Sequence, residues 1–127
     1  MDIQQRTFHL HMISDATGET LVTIARAVGV QYAAARAIEH LHPLVRSGRE
    51  LDRVLKEVEA APGIVLYTLF NRDMAEELEQ ACKRLNVPYV APLLNVLQVF
   101  ESYLGMTSTP MVGGQHQLDA DYYRRIE

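Results

Sequence analysis

The sequence has few of the features that mark secreted, membrane-bound or nucleic-acid-binding proteins. It has one cysteine, Cys82, so no internal disulfide can form and a cytoplasmic location is expected. No apolar run approaches the roughly 18 residues of a membrane span, and the polar start of the chain does not have the form of a signal peptide. The net charge of −4 argues against nucleic acid as a partner. We therefore expect a cytoplasmic protein that binds neither membrane nor nucleic acid.

What is present is the composition and periodicity of a single α/β domain. The chain has 127 residues, of which 48% are hydrophobic and 22% charged. Strand-like and helix-like segments alternate, and each strand starts 25 to 29 residues after the previous one, which suits βαβ units. We predict an open, mainly parallel four-stranded sheet with helices on both faces, as in flavodoxin-like and Rossmann-like folds. The strands are predicted at residues 7–13, 36–41, 64–70 and 89–93.

Four helices are predicted between and after these strands. The first covers residues 18–32. Ser47 begins the second, where Glu50 completes a capping-box pattern, and Asn71 can cap the third. The fourth, residues 94–104, is apolar all round, so we predict that it is more buried than the others.

The pattern changes after the fourth helix. Residues 1–105 are predicted to form the βα-repeat domain. Residues 106–117 are rich in Thr, Ser, Pro and Gly, and residues 118–127 have the pattern of a helix start without a closing Gly, Asn or Pro. We therefore expect residues 106–127 to be a loop and the beginning of a helix that leads to a further domain.

The turn after the first strand is the first candidate site. Ligands of open α/β sheets collect at the carboxyl ends of strands, and free N–H groups at a helix start attract anions. The hydroxyls of Ser14, Thr17 and Thr20, with Gly18 between them, are therefore predicted to hold a phosphate group. The alternative is that Asp15 or Thr17 simply caps the first helix.

Arginines at the other helix starts extend this candidate. Arg46 and Arg49 flank Ser47, and Arg72 begins the third helix. If these starts share one edge of the sheet, three guanidiniums would surround the turn and suit a phosphorylated ligand. We expect Ser14, Asp15 and Thr17 to lie at one edge of the sheet near Arg46, with the hydroxyls open to solvent or to a bound anion.

Two His-x-His pairs form a second candidate, a metal site. The pairs are His9 with His11 and His40 with His42, and each pair shares one face of its strand. Four imidazoles could hold zinc. Because no cysteine or carboxylate completes a motif, we predict instead that they are buried or rim histidines bonded to backbone, and that the domain holds no metal. Cys82 falls on an apolar helix stripe and is predicted to be core rather than a nucleophile.

Several segments resemble a known family. Residues 8–21 (FHLHMISDATGETL), 42–47 (HPLVRS), 63–69 (GIVLYTL), 114–116 (GQH) and 118–127 (LDADYYRRIE) are similar to the pyruvate, phosphate dikinase regulatory proteins. Members are about twice as long as this chain, and their second half holds a P-loop of Gly-x-x-x-x-Gly-Lys-Thr type. These 127 residues contain no such motif, so the resemblance implies an N-terminal half.

The resemblance implies a bifunctional enzyme. Family members phosphorylate a threonine of pyruvate, phosphate dikinase, or of a related phosphoenolpyruvate synthase, with ADP. They remove that phosphate with inorganic phosphate and release pyrophosphate. The ADP site is expected in the second half, and no residue can be assigned as catalytic base. A homodimer remains one alternative for the oligomeric state. The sites assigned to phosphate or substrate binding are Ser14, Asp15, Thr17, Gly18, Thr20, Arg46 and Ser47.

One further reading of the residues stays open. A stand-alone flavodoxin-like module could bind a small phosphorylated ligand without catalysis. The chain beyond residue 127 distinguishes this reading from the regulatory kinase, because only the kinase requires a downstream P-loop.

Overall fold

Four strands alternate with four helices along the chain. A computed structural model describes residues 5–108, so the loop and helix start predicted over 106–127 lie almost entirely outside the described residues. The elements are β1 (Arg6–Ser14), α1 (Glu19–Gly29), β2 (Ala35–His42), α2 (Gly48–Ala60), β3 (Gly63–Thr68), α3 (Arg72–Leu85), β4 (Tyr89–Val90) and α4 (Pro92–Leu104). Among residues 5–108, no helix is long and apolar enough to span a membrane.

The strands form one open, all-parallel sheet in the order β2-β1-β3-β4. The predicted fold class is confirmed. The chain moves from β1 to β2 on one side and then crosses to β3 on the other side of β1. The direction of winding therefore reverses between β1 and β3, which makes their carboxyl ends the topological switch point of the sheet.

The fourth strand is shorter than predicted. Only Tyr89 and Val90 pair with β3, whereas the sequence pattern suggested a strand over 89–93. Pro92 stands at the start of α4. Its fixed φ angle suits the first turn of a helix, and its missing N–H cannot join a strand ladder.

Helices cover both faces of the sheet. Successive side chains of a strand point to opposite faces. On one face Leu10 and Met12 of β1 pack against Leu21 and Ala25 of α1. On the other face lies a larger core in which residues of β1 and β3 pack against α2 and α3: Ile13, Val65, Tyr67, Leu51, Val54, Val58, Leu78 and Cys82. Cys82 is fully buried in this core, which confirms it as a core residue, and its burial raises the pKa of its thiol to about 11.

The helix starts on the larger face carry the predicted caps. The Ser47 hydroxyl accepts a hydrogen bond from Glu50 N–H at 3.2 Å and donates to the Glu50 carboxylate at 2.9 Å. This differs from the predicted capping box, in which Glu50 would accept from the Ser47 backbone. The Asn71 side chain accepts from Met74 N–H at 3.0 Å. These bonds satisfy amides that the helices cannot satisfy internally.

The prediction that the fourth helix is the most buried is wrong. No residue of α4 is buried, although it is rich in apolar side chains. Besides Pro92 at its start, its partly covered residues are Leu93, Leu97 and Glu101, at a spacing of four. An all-round apolar sequence predicts burial correctly only when a second surface covers the helix, and among residues 5–108 only one side of α4 is covered.

Four histidines lie side by side on β1 and β2. The register places His11 opposite His40 and Ile13 opposite His42, and the rings stack at centroid distances of 4.5 Å for His11–His40 and 5.3 Å for His11–His42. His9 Nδ1 and His40 Nε2 are 2.8 Å apart, as in a hydrogen bond. Each imidazole thus pairs with another imidazole, and the predicted bond to backbone is seen for His11 but not for the other three within residues 5–108.

The hydrogen bonds fix the proton positions in half of this stack. His11 Nε2–H donates to the Ala61 carbonyl at 2.7 Å. A neutral His11 must then accept at Nδ1, so His42 Nε2–H donates across their 3.0 Å contact. His42 Nδ1 lies 3.2 Å from the Glu57 carboxylate. Burial lowers the pKa of both His11 and His42, and the charge of Glu57 opposes this shift.

The start of β3 tolerates no side chain. Gly63 is the register partner of His9, and a Cβ atom built on it would lie 1.9 Å from the His9 carbonyl oxygen. The His9 carbonyl belongs to the backbone of β1, an inner strand of the sheet. It can therefore move only if the hydrogen-bonded pairing of the strands shifts. By contrast, a Cβ on Gly48, at the start of α2, would meet nothing within 4 Å.

We predict that Gly63→Ala destabilises the fold and Gly48→Ala does not. Overpacking against fixed backbone costs about 1–3 kcal/mol, whereas an unobstructed helical Gly→Ala gains up to about 1 kcal/mol. Urea unfolding of the two variants and the parent measures both values. Equal stability of the Gly63→Ala variant and the parent would contradict the close approach of β1 and β3.

We also predict that the domain loses stability as the pH falls below about 6.5. The folded-state pKa values of His11 and His42 are lowered, so the unfolded chain binds more protons there than the folded one. Their contribution is complete above pH 6.5 and declines below it. Glu57→Gln removes the charge that opposes the shift, so it should enlarge this loss.

Urea unfolding at pH 7.5 and pH 5.5 tests the histidine prediction. The matched control is Glu59→Gln, two positions along the exposed side of the same helix, which should leave the pH dependence unchanged. A midpoint that does not fall at pH 5.5, or a Glu57→Gln variant that resists acid better than the parent, would contradict it.

Candidate functional site

The predicted turn lies at the switch point of the sheet. Ser14, the last residue of β1, is the register partner of Thr68, the last residue of β3. Asp15 N–H then donates to the Thr68 carbonyl at 3.2 Å. The carboxyl ends of β1 and β3 are thus joined, and residues 15–18 follow directly before α1. This is the position at which open α/β sheets bind ligands.

Ser14 is a structural residue of this junction. Its side chain is fully buried. The hydroxyl oxygen accepts hydrogen bonds from Ala16 N–H at 3.0 Å and from the Thr68 hydroxyl at 3.1 Å. The expectation that the Ser14 hydroxyl is open to solvent or to an anion is therefore wrong for the structure as it stands. Its bonds instead fix the shape of the turn that follows.

Asp15 is buried, and half of its carboxyl group has no partner. The residue is 4% exposed. One carboxyl oxygen, Oδ2, accepts from Phe70 N–H at 2.9 Å, whereas Oδ1 is buried without a hydrogen bond in the described part of the chain. Burial raises the pKa of Asp15, while the Phe70 amide and the charge of Arg46 act in the opposite direction. An unsatisfied buried oxygen is costly and therefore indicates a functional position.

Arg46 reaches back to the turn from the segment after β2. Its Nε–H donates to the Asp15 carbonyl at 2.8 Å. The same segment is fixed by two backbone bonds, from Val45 N–H to the Ser14 carbonyl and from Leu44 N–H to the Ala16 carbonyl, both 2.9 Å. Arg46 is exposed, and its terminal guanidinium nitrogens make no hydrogen bond within residues 5–108. They can therefore bind an anion.

The start of α1 is only weakly capped by a side chain. Its N-cap is Gly18, whose φ of +84° lies in the left-handed region, and a Cβ there would lie 2.5 Å from Leu41 Cδ1. The Asp15 carboxyl is committed to Phe70 rather than to α1. Thr17 accepts from Glu19 N–H only at 3.5 Å, at the limit of a hydrogen bond. Asp15 therefore does not cap α1, whereas Thr17 caps it through this one long hydrogen bond.

The remaining predicted residues lie either beside Gly18 or at the starts of α2 and α3. Thr17 is exposed and Thr20 half-buried beside Gly18. Ser47 is taken up by the α2 cap. Arg49 and Arg72 are exposed in the first turns of α2 and α3, but neither forms a hydrogen bond or ion pair with the turn in the described residues. Of the three predicted arginines, the structure joins one to the turn.

Thr68, at the end of β3, and Phe70, just after it, belong to the site, although the sequence analysis assigned neither. Thr68 bonds Ser14, and the amide of Phe70 binds Asp15. The signal for Thr68 was present, because it is the one polar residue in the apolar run 64–70. The role of Phe70 is carried by its backbone and could not be read from its identity. The histidine stack lies elsewhere on the strands, and no group of three or more potential ligands within residues 5–108 is arranged to hold a metal.

Comparison with known proteins agrees with the resemblance of the sequence. The family model described as kinase/pyrophosphorylase matches residues 10–127. A protein of Bradyrhizobium diazoefficiens is 53% identical over 127 residues, which are 100% of this chain and 46% of that protein. One of Nitrobacter winogradskyi is 54% identical over 122 residues, 96% of this chain and 44% of the relative.

Both relatives are named as pyruvate, phosphate dikinase regulatory proteins, as is one of Rhodopseudomonas palustris that is 52% identical over 120 residues, 94% of this chain and 43% of its own length. The chain thus spans less than half the length of the curated relatives it matches. By its sequence and by the extent of the match, the chain belongs to the kinase/pyrophosphorylase family and corresponds to the N-terminal half of its members.

Proposed function

We propose that this chain is the N-terminal part of a bifunctional regulator of pyruvate, phosphate dikinase or a related phosphoenolpyruvate synthase. In one direction the regulator uses ADP to phosphorylate a threonine of the target. In the other, inorganic phosphate attacks that phosphothreonine and releases pyrophosphate. The observation that carries the proposal is the family match over residues 10–127, together with a buried, half-partnered Asp15 at the switch point.

Both reactions require that phosphoryl charge be held in place. The terminal nitrogens of Arg46 can bind phosphate oxygens, and the first turn of α1, which follows Gly18, offers the positive end of the helix dipole. Thr17 and Thr20 add hydroxyls beside Gly18. We assign to this turn the binding of the phosphate or of the phosphorylated threonine.

Asp15 has a positioning role in this scheme. Its carbonyl holds Arg46, and its carboxyl holds the amide of Phe70. The residue thus links the loops that follow β1, β2 and β3. A ligand group that enters the turn and donates a hydrogen bond can satisfy the second carboxyl oxygen. Ligand binding then removes the free-energy cost of burying that oxygen without a partner.

The nucleotide belongs to the part of the protein beyond this chain. The 127 residues contain no Gly-x-x-x-x-Gly-Lys-[Ser/Thr] sequence, the element that commonly cradles the phosphates of a nucleotide. We therefore assign ADP binding to the second half and no metal to this one. The non-catalytic binding module remains the alternative function. The activity of the short chain and of a longer fusion protein distinguishes this module from the regulatory kinase.

We predict that the 127-residue chain alone catalyses neither reaction. With ADP and the target, or with phosphate and the phosphorylated target, no turnover should be seen by phosphothreonine immunoblotting. The chain fused to the remaining sequence of the Bradyrhizobium relative should catalyse both. Activity of the short chain would contradict the proposal. A fusion that folds but is inactive would also contradict it and would favour the non-catalytic module.

We predict that Arg46→Ala in that fusion lowers both rates by about 100-fold, because it removes a cation that stabilises phosphoryl charge. Asp15→Asn should lower both rates less, since it preserves the shape and the backbone contact with Arg46. Arg49→Ala is the matched control, since Arg49 is exposed at the same helix start without contacting the turn, and its rates should equal those of the parent.

Circular dichroism and urea unfolding must accompany these rates. If Arg46→Ala and Asp15→Asn fold and turn over like the parent, the turn takes no part in the reactions. If Arg49→Ala reduces the rates as strongly as Arg46→Ala, the contact between Arg46 and Asp15 has no special role.

A further inference from the structure

Helix α4 carries a stripe of apolar side chains that faces away from the sheet. Val96, Val99, Phe100 and Tyr103 recur at the spacing that places side chains on one face of a helix. Their exposures are 52%, 66%, 60% and 89%. We call these four residues the α4 stripe. It lies apart from the residues that bind Ser14 and Asp15, so the proposed phosphate site does not account for it.

The stripe is more apolar than a solvated helix surface. Exposed apolar residues are ordinary when scattered, but a contiguous set marks a surface that another part of a protein covers. The neighbouring side of α4, at Leu93 and Leu97, is partly covered, and α4 packs on β3. A shallow groove runs beside the stripe, lined by Asn95, Gln98, Val99, Ser102 and Tyr103. Its amides and hydroxyl could bond the polar rim of a partner.

We propose that the α4 stripe is the docking surface for the second half of the same protein. The relatives are more than twice as long as this chain, so over half of each lies outside the matched region. Helix α4 is the last described element, and the chain leaves it at Gly105. A segment tethered so near has a high effective concentration at the stripe, which favours it over a separate molecule.

Hydrogen exchange tests the docking. The 127-residue chain is compared with its fusion to the remainder of the Bradyrhizobium relative. Peptides covering residues 92–104 should exchange about tenfold more slowly in the fusion, because docking suppresses local opening of the helix. Size-exclusion chromatography with light scattering should show that the short chain is a monomer.

A charged substitution gives the second readout. Val99→Asp should leave the stability of the short chain unchanged, since Val99 is exposed there, but should restore fast exchange of 92–104 in the fusion. The control is Gln80→Asp, which adds the same charge to an exposed position of α3, outside the stripe, and should change neither. Both readouts are independent of catalysis, so they hold or fail separately from the proposed function.

Three results would overturn the proposal. One is equal exchange of residues 92–104 in the short chain and the fusion. Another is a dimer of the short chain that Val99→Asp dissociates, which would make the stripe an interface between two copies. The third is an effect of Gln80→Asp as large as that of Val99→Asp, which would show a general response to charge.

Discussion

The hydrogen bonds between the carboxyl ends of β1 and β3 determine where every candidate site residue lies. Ser14 and Thr68 face each other in the ladder, and their hydroxyls bond at 3.1 Å. Because β1 is central, this junction also fixes the segment after β2, whose Val45 amide donates to the Ser14 carbonyl. The loops after three strands therefore meet around one turn. This arrangement brings Arg46 within hydrogen-bond distance of the Asp15 carbonyl.

The hydrogen bonds at this junction offset part of the free-energy cost of burying Asp15, but not all of it. One carboxyl oxygen and the backbone carbonyl have partners, whereas the other oxygen has none in the described residues. Burying an unsatisfied polar group costs about 1–3 kcal/mol, and an apolar residue of similar size would avoid that cost. The raised pKa of Asp15 follows from the same burial. The position of Asp15 is therefore not explained by stability alone, which supports the proposed role of this turn in binding.

Local patterns were sufficient to predict the elements, and contacts distant in sequence decided the rest. Apolar periodicity gave the strands and helices, and Ser47 and Asn71 cap the helices they were expected to cap. The burial of Ser14 depends on Thr68, 54 positions away, and the carboxyl of Asp15 on the amide of Phe70. Neither interaction leaves a periodic signal. The paired histidines show the same limit, since spacing predicts their shared face but the register of β1 and β2 decides which imidazoles meet.

The exposed helix and the site are connected by the topology of the sheet. All strands are parallel, so α4 begins at the carboxyl edge where the turn lies. Its 13 residues carry it about 20 Å toward the opposite edge. A second half that follows Gly105 and docks on the α4 stripe would run back along that length toward the Asp15 turn. Under the proposed function, such docking would bring a phosphate cradle of that half toward Arg46, so that one site would draw on both halves.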